Sequence, residues 1–552
     1  MSTYNLSSTG SREGGGLLDR ARTIAKLGFN RWLVPPAALA IHLCIGMSYG
    51  LSVFWVPLQR AVGISKSVVC PNLTVWHVLF HTHCDWRQTD LVFVFTIGIV
   101  LLGLSAALFG GWLEREGPRK AGVVAAICWA GGFLISALGV YWHQLWMLWF
   151  GTGFIGGIGL GLGYISPVST LVKWFPDRRG MATGMAIMGF GGGAMIGTPL
   201  ANILINHFKT AASVGVWQTM LVLAAGYFVY MVCGAFGYRV PPEGWRPDGW
   251  RPPADKAHAM ITGGNVHLRD AHKTPQFWLI WAVLCLNVSA GIGVLAVAVP
   301  MLQEIFGGSL IGLPGVGFSR LTSGQIALTQ TLGAAFIGLI SLFNIGGRFF
   351  WASLSDRIGR KTTYFCFFGI GFVLYALTPT FADWGSKALF VAAFCVILSM
   401  YGGGFATVPA YLADMFGPQF VGAIHGRLLT AWSAAGVVGP LLVSYIRDAQ
   451  IAAGVPRAQV YDRTLYILSS FLVVGFICNA LVRPVASKWF MSAEDMAQLQ
   501  SQKLKAAAVK SGAFGIDRGR FDAQAALAWA AVGIPILWGV WVTIQNSAKI
   551  FQ

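Results

Sequence analysis

The chain reads as an all-α membrane protein: twelve membrane-crossing helices in two six-helix halves, with a thirteenth helix near the C-terminus. Three observations predict this. Of its 552 residues 55% are hydrophobic and only 11% charged, a balance foreign to soluble globular chains. Apolar runs long enough to cross a bilayer recur along the whole length. The basic residues fall in the loops between them, with a strong bias to one side.

The runs lie at about 33–57, 90–113, 121–141, 145–168, 181–206, 213–238, 276–303, 329–354, 362–382, 388–412, 424–446 and 464–482. A further run at about 525–545 follows a polar stretch, 486–523, in which 493–505 is expected to be helical. With the N-terminal tail (1–30) cytoplasmic, loops on that side hold 28 Lys and Arg and the outer loops 10, out of 39. This asymmetry sets the orientation. It also explains the net charge of +18, which is a topology signal and not a nucleic-acid surface. The polar tail lacks a cleavable apolar core, so no signal peptide is expected.

One basic residue is in neither group. Arg348 lies within the eighth run, eight residues before Asp356 where the next cytoplasmic loop begins. At ~1.5 Å per residue it is ~12 Å deep, near the middle of a ~30 Å hydrocarbon core. A charge there costs roughly 2.5–3.5 kcal/mol even on a lenient scale, and a guanidinium cannot shed its proton. No Asp or Glu is expected at that depth, since Glu304 and Asp414 fall at helix ends. An anionic substrate is then the natural counter-charge; the alternative is a structural Arg bonded to backbone carbonyls.

The chain is internally duplicated. Gly110-Gly-Trp-Leu-Glu114-Arg115-Glu-Gly117-Pro-Arg119-Lys and Ala352-Ser-Leu-Ser-Asp356-Arg357-Ile-Gly359-Arg360-Lys share one order of acid, Arg, Gly and basic residues in corresponding loops. Gly180, Gly184, Gly197 and Pro199 are echoed by Gly422, Gly426, Gly439 and Pro440. The halves are 31–239 and 275–485, joined by a Pro-rich cytoplasmic linker at 240–274, and 524–552 forms the extra helix and tail, placed outside the transport core.

These paired loop motifs with twelve spans resemble the major facilitator superfamily. Gly161-Leu-Gly-Tyr164-Ile-Ser-Pro, Lys173-Trp-Phe-Pro-Asp-Arg-Arg-Gly180, Asn344 with Gly347-Arg348, and Tyr401-Gly-Gly-Gly-Phe resemble, within it, the oxalate:formate antiporter family, related to the monocarboxylate transporters. The resemblance covers about 31–485 and implies a carrier of small carboxylates whose Arg348 holds the substrate carboxylate. Trp432 stands where the oxalate exchangers carry a Lys after Thr-Ala.

A guanidinium fork suits a carboxylate. One buried cation balances one negative charge, which favours a monocarboxylate such as formate or lactate, with oxalate exchange as the rival. A dianion needs a second positive group, for which His42, His425 and Arg427 are the nearest choices. Asn344 is one turn before Arg348 on the same face. Tyr164 and Tyr401 are candidates to donate hydroxyls to the substrate, and Trp432 to form an apolar wall. His42 is a candidate for substrate or proton binding; with no deep carboxylate, protons ride on His42, on the substrate acid, or not at all if anions exchange. Gly110, Glu114, Arg115, Gly117, Arg119, Asp356, Arg357, Gly359 and Arg360 read as a cytoplasmic gate.

Cys70 and Cys84 share the long outer loop, and the sequence leaves open whether they are bridged. That loop also carries His77, His81 and His83, read as solvated residues and not as metal ligands. No cofactor or metal is expected. The partners are a small organic acid anion, protons if coupled, and the lipid bilayer, with the chain a monomer in a bacterial inner membrane. A membrane enzyme is disfavoured by the lack of a nucleophile elbow, P-loop or metal-ligand pair. A transporter-like sensor is a rival that only flux separates.

Overall fold

In a computed structural model, the protein is described over residues 16–26, 28–64, 68, 74–80, 83–242, 245–250, 260–507 and 522–550. Among these are thirteen helices long and apolar enough to cross a membrane. They are α1 (Arg31–Leu58), α2 (Asp90–Glu116), α3 (Pro118–Tyr141), α4 (Leu145–Trp174), α5 (Arg179–Phe208), α6 (Val216–Gly237), α7 (Pro275–Ile311), α8 (Gly324–Ile358), α9 (Arg360–Asp383), α10 (Lys387–Phe416), α11 (Val421–Ala452), α12 (Arg457–Leu481) and α13 (Ala523–Ser547). We call the face holding the 117 and 359 turns the basic face.

Loop chemistry sets the helix ends. Gly117 and Gly359, the glycines of the duplicated motif, have φ of +93° and +86°, where a side chain would be strained. Each reverses the chain sharply between two long helices, α2 to α3 and α8 to α9. Entry to α8 is fixed by a capping box, in which Thr322 and Gln325 exchange side-chain and backbone hydrogen bonds.

Small residues then set the packing. A methyl group on Gly347 of α8 would overlap the Ser399 carbonyl of α10, and one on Gly402 of α10 would overlap the Asn344 carbonyl of α8. These two helices therefore approach backbone to backbone, where van der Waals contact and not hydrophobic exclusion holds helices together in lipid. Helices α1–α6 and α7–α12 form two sets that meet chiefly through α5 with α8, α2 with α11 and α5 with α10.

Two regions are packed more closely than the sequence alone indicates. Part of the stretch read as a linker is pinned to the basic face: Thr262 N–H donates to Asp414 O and Val266 N–H to Phe416 O, at 2.8 and 2.9 Å. Its polar backbone thereby satisfies the carbonyls at the end of α10. The second is α13, placed outside the core by sequence but packed on α1, α5 and α8, and so on both halves. Its other side exposes Leu527, Ile534, Leu537 and Trp541, as a lipid-facing helix does. The helix expected at 493–505 is present as Ala493–Ala507.

Candidate substrate site and gate

Arg348 is fully buried on α8 at the junction of the halves. Asn344, one helical turn earlier, accepts from Nε at 3.0 Å, and Ile187 O of α5 accepts from Nη1 at 3.0 Å. Nη2 has no protein partner among the described residues. The rings of Phe190 and Phe405 sit 5.8 and 5.7 Å from the guanidinium carbon, one from each half. The fork is thus anchored at two nitrogens, with the third buried among aromatic rings. The carbonyl-bonded alternative describes one nitrogen out of three.

The surrounding wall is aromatic. Trp432 of α11 lies 5.3 Å from Phe190, 4.4 Å from Phe405 and 5.3 Å from Tyr164 between ring centroids. Tyr401 of α10 shares a 3.2 Å hydroxyl contact with Tyr49 of α1, which joins the two halves. The Tyr164 hydroxyl and Trp432 Nε1 are buried without a hydrogen-bond partner among the described residues. So Arg348, Asn344, Tyr164, Tyr401 and Trp432 come together around one centre.

His42 lies behind it, wholly buried, between Ala186 O at 2.6 Å and Tyr164 O at 3.2 Å. It is one ring removed from Arg348 and holds backbone rather than facing the guanidinium. His425 of α11 stacks obliquely 5.9 Å from Tyr164, with neither ring nitrogen hydrogen-bonded among the described residues. Arg427 is turned away and donates to Leu268 O and His272 at the basic face. Two residues were missed by sequence reasoning. Tyr49 lies seven residues after His42 and could have been found by helical spacing; Asn287 of α7, buried with Oδ1 unpartnered, carried no such signal.

The gate residues separate into three groups. Asp356 accepts from the N–H groups of Gly180 and Met181 at 2.9 and 2.8 Å, capping the start of α5 across the junction. Arg360 bridges Asp356 and Asp414 at 2.6 and 3.0 Å, and Asp414 also takes Arg179 of the other half at 2.9 Å. Glu114 does not repeat this on α11. It pairs with Lys173 at 2.6 Å and Ser169 at 2.8 Å inside its own half, touching the other only where it lies against Gly422.

Arg115 and Arg357 are exposed and outside the network. Arg119 is buried and donates to Leu17 O at 3.1 Å, tying down the N-terminal segment. Of the charged residues read as a gate, Asp356 and Arg360 are thus joined in one network with Asp414 and Arg179, which the sequence reading did not include, while Arg115 and Arg357 stay outside it. The helix geometry explains the difference: residues one turn apart, 356 and 360, share a face, whereas Arg357 points to solvent. Gly110 packs against Ala423 of α11. In the loop before α2 Cys84 is disulfide-bonded, while Cys70 lies outside the described residues.

The comparisons agree with this architecture. The protein is 26% identical over 471 residues to the oxalate:formate antiporter of Oxalobacter formigenes, spanning 85% of this chain and 96% of that one. It is 23% identical over 454 residues to human monocarboxylate transporter 11, spanning 80% and 82%. Among solved structures it superposes on the E. coli fucose:proton symporter with a TM-score of 0.52 at 12% identity, covering 82% of this chain and all of that one. The model of the Major Facilitator Superfamily matches residues 38–440 and 321–545, and the chain belongs to that superfamily of membrane transporters.

Proposed function

We propose that this protein is a secondary carrier of small carboxylate anions, formate, lactate or a similar monocarboxylate, working by alternating access in a bacterial inner membrane with its basic face in the cytoplasm. The observation that carries the reading is Arg348. Asn344 and Ile187 accept from two of its nitrogens, the Tyr49 hydroxyl lies close enough to interact with it, and Nη2 is buried with no direct hydrogen-bond partner among the described residues. A permanently charged fork desolvated in this way is stable when a carboxylate completes it.

The 1–30 tail, the halves at 31–239 and 275–485, the 240–274 linker and the 486–523 segment are the parts of this carrier. The halves rock about the α5–α8 and α2–α11 seams. Arg348, Asn344, Tyr49, Tyr401, Tyr164 and Trp432 surround the substrate, and the aromatic wall limits its size. The Asp356–Arg360–Asp414–Arg179 network closes the cytoplasmic side. The similarity to an oxalate:formate antiporter supports a second reading, exchange of a dicarboxylate for a monocarboxylate. Charge balance at a single deep cation supports the first.

Thermal stability of the purified protein against formate, lactate, pyruvate, oxalate and succinate separates them, because a ligand that prefers the native state raises the midpoint by mass action. Stabilisation by monocarboxylates alone supports the first reading, and by oxalate the second. Loss of stabilisation in Arg348→Gln ties either one to this site. Unchanged stabilisation in that variant overturns the assignment.

A further inference from the structure

Three guanidinium groups gather on the basic face of the first half with no acid between them. Arg119, two residues after the Gly117 turn, is 6% exposed and lies close enough to Arg22 and Arg239 to interact with both electrostatically. The backbone fixes this grouping. Segment 23–25 pairs with the chain leaving α6, Ala25 N–H donating to Val240 O and Val240 N–H to Thr23 O, both at 2.9 Å. That carries Arg22 to the end of α6, where Arg239 donates to Phe236 O and Tyr238 O at 2.8 and 2.7 Å.

The acids at this end are committed elsewhere. Glu114 holds Lys173, Glu116 holds Lys120 and Asp177 holds Arg31. Asp19 is exposed, and among the described residues neither it nor Arg22, Arg119 or Arg239 forms an ion pair. One atom is orphaned besides. Arg119 donates from Nη1 to Leu17 O, while its Nε is buried without a hydrogen-bond partner among the described residues. An unsatisfied buried N–H on a charged group is costly, and so is holding like charges together.

The second half shows the same position complete. Lys361, also two residues after the motif glycine, donates to Ala480 O at 2.9 Å and Val482 O at 2.8 Å, with Arg483 as its charged neighbour. It has two carbonyls and one cation beside it; Arg119 has one carbonyl and two cations. The first half therefore lacks a negative group that the second does not need.

A lipid-facing stripe leads to the cluster. Val229, Cys233 and Phe236 of α6 are exposed, at spacings of four and three residues that put them on one face. The Phe236 ring is 5.4 Å from the Arg119 guanidinium carbon, so apolar stripe and cations meet as an acyl chain meets its headgroup. Basic pockets at helix ends recognise anionic lipid headgroups in this way. We infer that Arg22, Arg119 and Arg239 form a binding site for the phosphate of an anionic phospholipid whose chains lie along α6. The phosphate oxygens accept from Arg22 and Arg239, and Arg119 adds its charge from beneath. The bound lipid braces segment 16–26 against α6. This site is separate from Arg348 and stands whether or not that residue binds a carboxylate.

The test uses the purified full-length chain, delipidated in detergent, and its thermal midpoint against dioleoyl phosphatidylglycerol, dioleoyl phosphatidylcholine and inorganic phosphate. A ligand that prefers the native state raises the midpoint. Wild type is expected to be stabilised by phosphatidylglycerol alone. Arg22→Gln combined with Arg239→Gln should weaken the apparent affinity for that lipid about twenty-fivefold, about fivefold for each basic residue lost. Arg483→Gln combined with Lys488→Gln removes the same charge from the second half and should leave the affinity unchanged. Should the first pair not yield a cooperatively melting protein, Arg22→Gln alone, at an exposed position, carries the test with its fivefold loss.

Equal stabilisation by phosphatidylcholine overturns the proposal, and equal stabilisation by inorganic phosphate overturns the lipid as its ligand. Phosphatidylglycerol affinity that is unchanged in the Arg22 and Arg239 variants, or that falls as far in the Arg483 and Lys488 control, overturns it too.

Discussion

The two ends of the helix bundle are both held by charge, but to different partners. On the basic face Asp414 of α10 takes Arg360 from its own half and Arg179 from the other, while Asp356 caps the start of α5 across the junction. At the opposite end Glu304 of α7 gathers Arg447, Arg457 and the Tyr461 hydroxyl, all from α11 and α12 of the same half. A contact between halves must break in a rocking cycle, and one within a half need not. In the carrier proposed above, the first cluster acts as a latch and the second as a rivet, and the contacts that would latch the basic face are formed here.

The largest effect is expected from breaking the latch. Asp414→Asn leaves Arg179 and Arg360, with side chains 13% and 10% exposed, without their shared counter-charge. Removing one partner of a nearly buried pair costs about 3–5 kcal/mol, but only the share carried by Arg179, which reaches Asp414 across the junction, falls on the latched state alone, since Arg360 lies in the same half as Asp414. The ratio of latched to open forms should drop by roughly tenfold or more. An Ala106→Cys reporter, in α2 beneath Gly426, should then react much faster with an impermeant maleimide from the basic face. An unchanged labelling rate would show that the network is not a latch.

Glu304→Gln is the matched control and comes next in size. It weakens bonds to two half-exposed guanidinium groups and one phenol, about 2 kcal/mol in all after solvent screening. Thermal stability should fall, while labelling at position 106 should stay as in the parent. A rise in labelling would erase the distinction between the ends.

A smaller change is expected from removing α13, which belongs to neither cluster yet touches both halves. Trp529 Nε1 donates to Trp32 O at 3.1 Å and the Tyr230 hydroxyl to Ala531 O at 2.9 Å. Near its other end Ser547 donates to Ala335 O of α8 at 3.2 Å, and Thr543 packs on Gly338. Truncation before Ala523 frees the α5–α8 seam of these contacts, worth about 1 kcal/mol across it if each hydrogen bond carries its usual net value. Labelling at position 106 should rise a few-fold, between the Glu304 and Asp414 variants.

These regions also differ in how far the residues announce them. Helix number, the side bias of charge and the isolated Arg348 were legible because each is a one-dimensional property: apolar length, loop composition and depth along a helix. The duplicated motif at 117 and 359 was legible as a repeat, but that its glycines turn the chain at positive φ came from the structure. Pair identity was not legible. Glu114 and Asp356 occupy equal motif positions, but Lys173 stands near Glu114 and draws it into its own half, whereas Asp356 meets free N–H groups at the start of α5. Nor could sequence place α13, because a lipid-facing helix carries no periodic signal saying which neighbours its small residues meet.

The smallest effect tests where the latch gives way to the site. The hydroxyls of Tyr49 and Tyr401 meet at 3.2 Å, the one contact among the site residues that is both polar and shared between α1 and α10. Because it joins the two halves, it must part in the alternating-access cycle proposed above when the side away from the basic face opens. Tyr49→Phe keeps the ring against Phe190 at 5.1 Å and removes only the hydroxyl. The loss should be about 1 kcal/mol of a neutral hydrogen bond, a several-fold faster reaction of an outer-side reporter, and little change at position 106. If labelling instead rises equally on both sides, the pair braces the site itself and opening does not proceed through it.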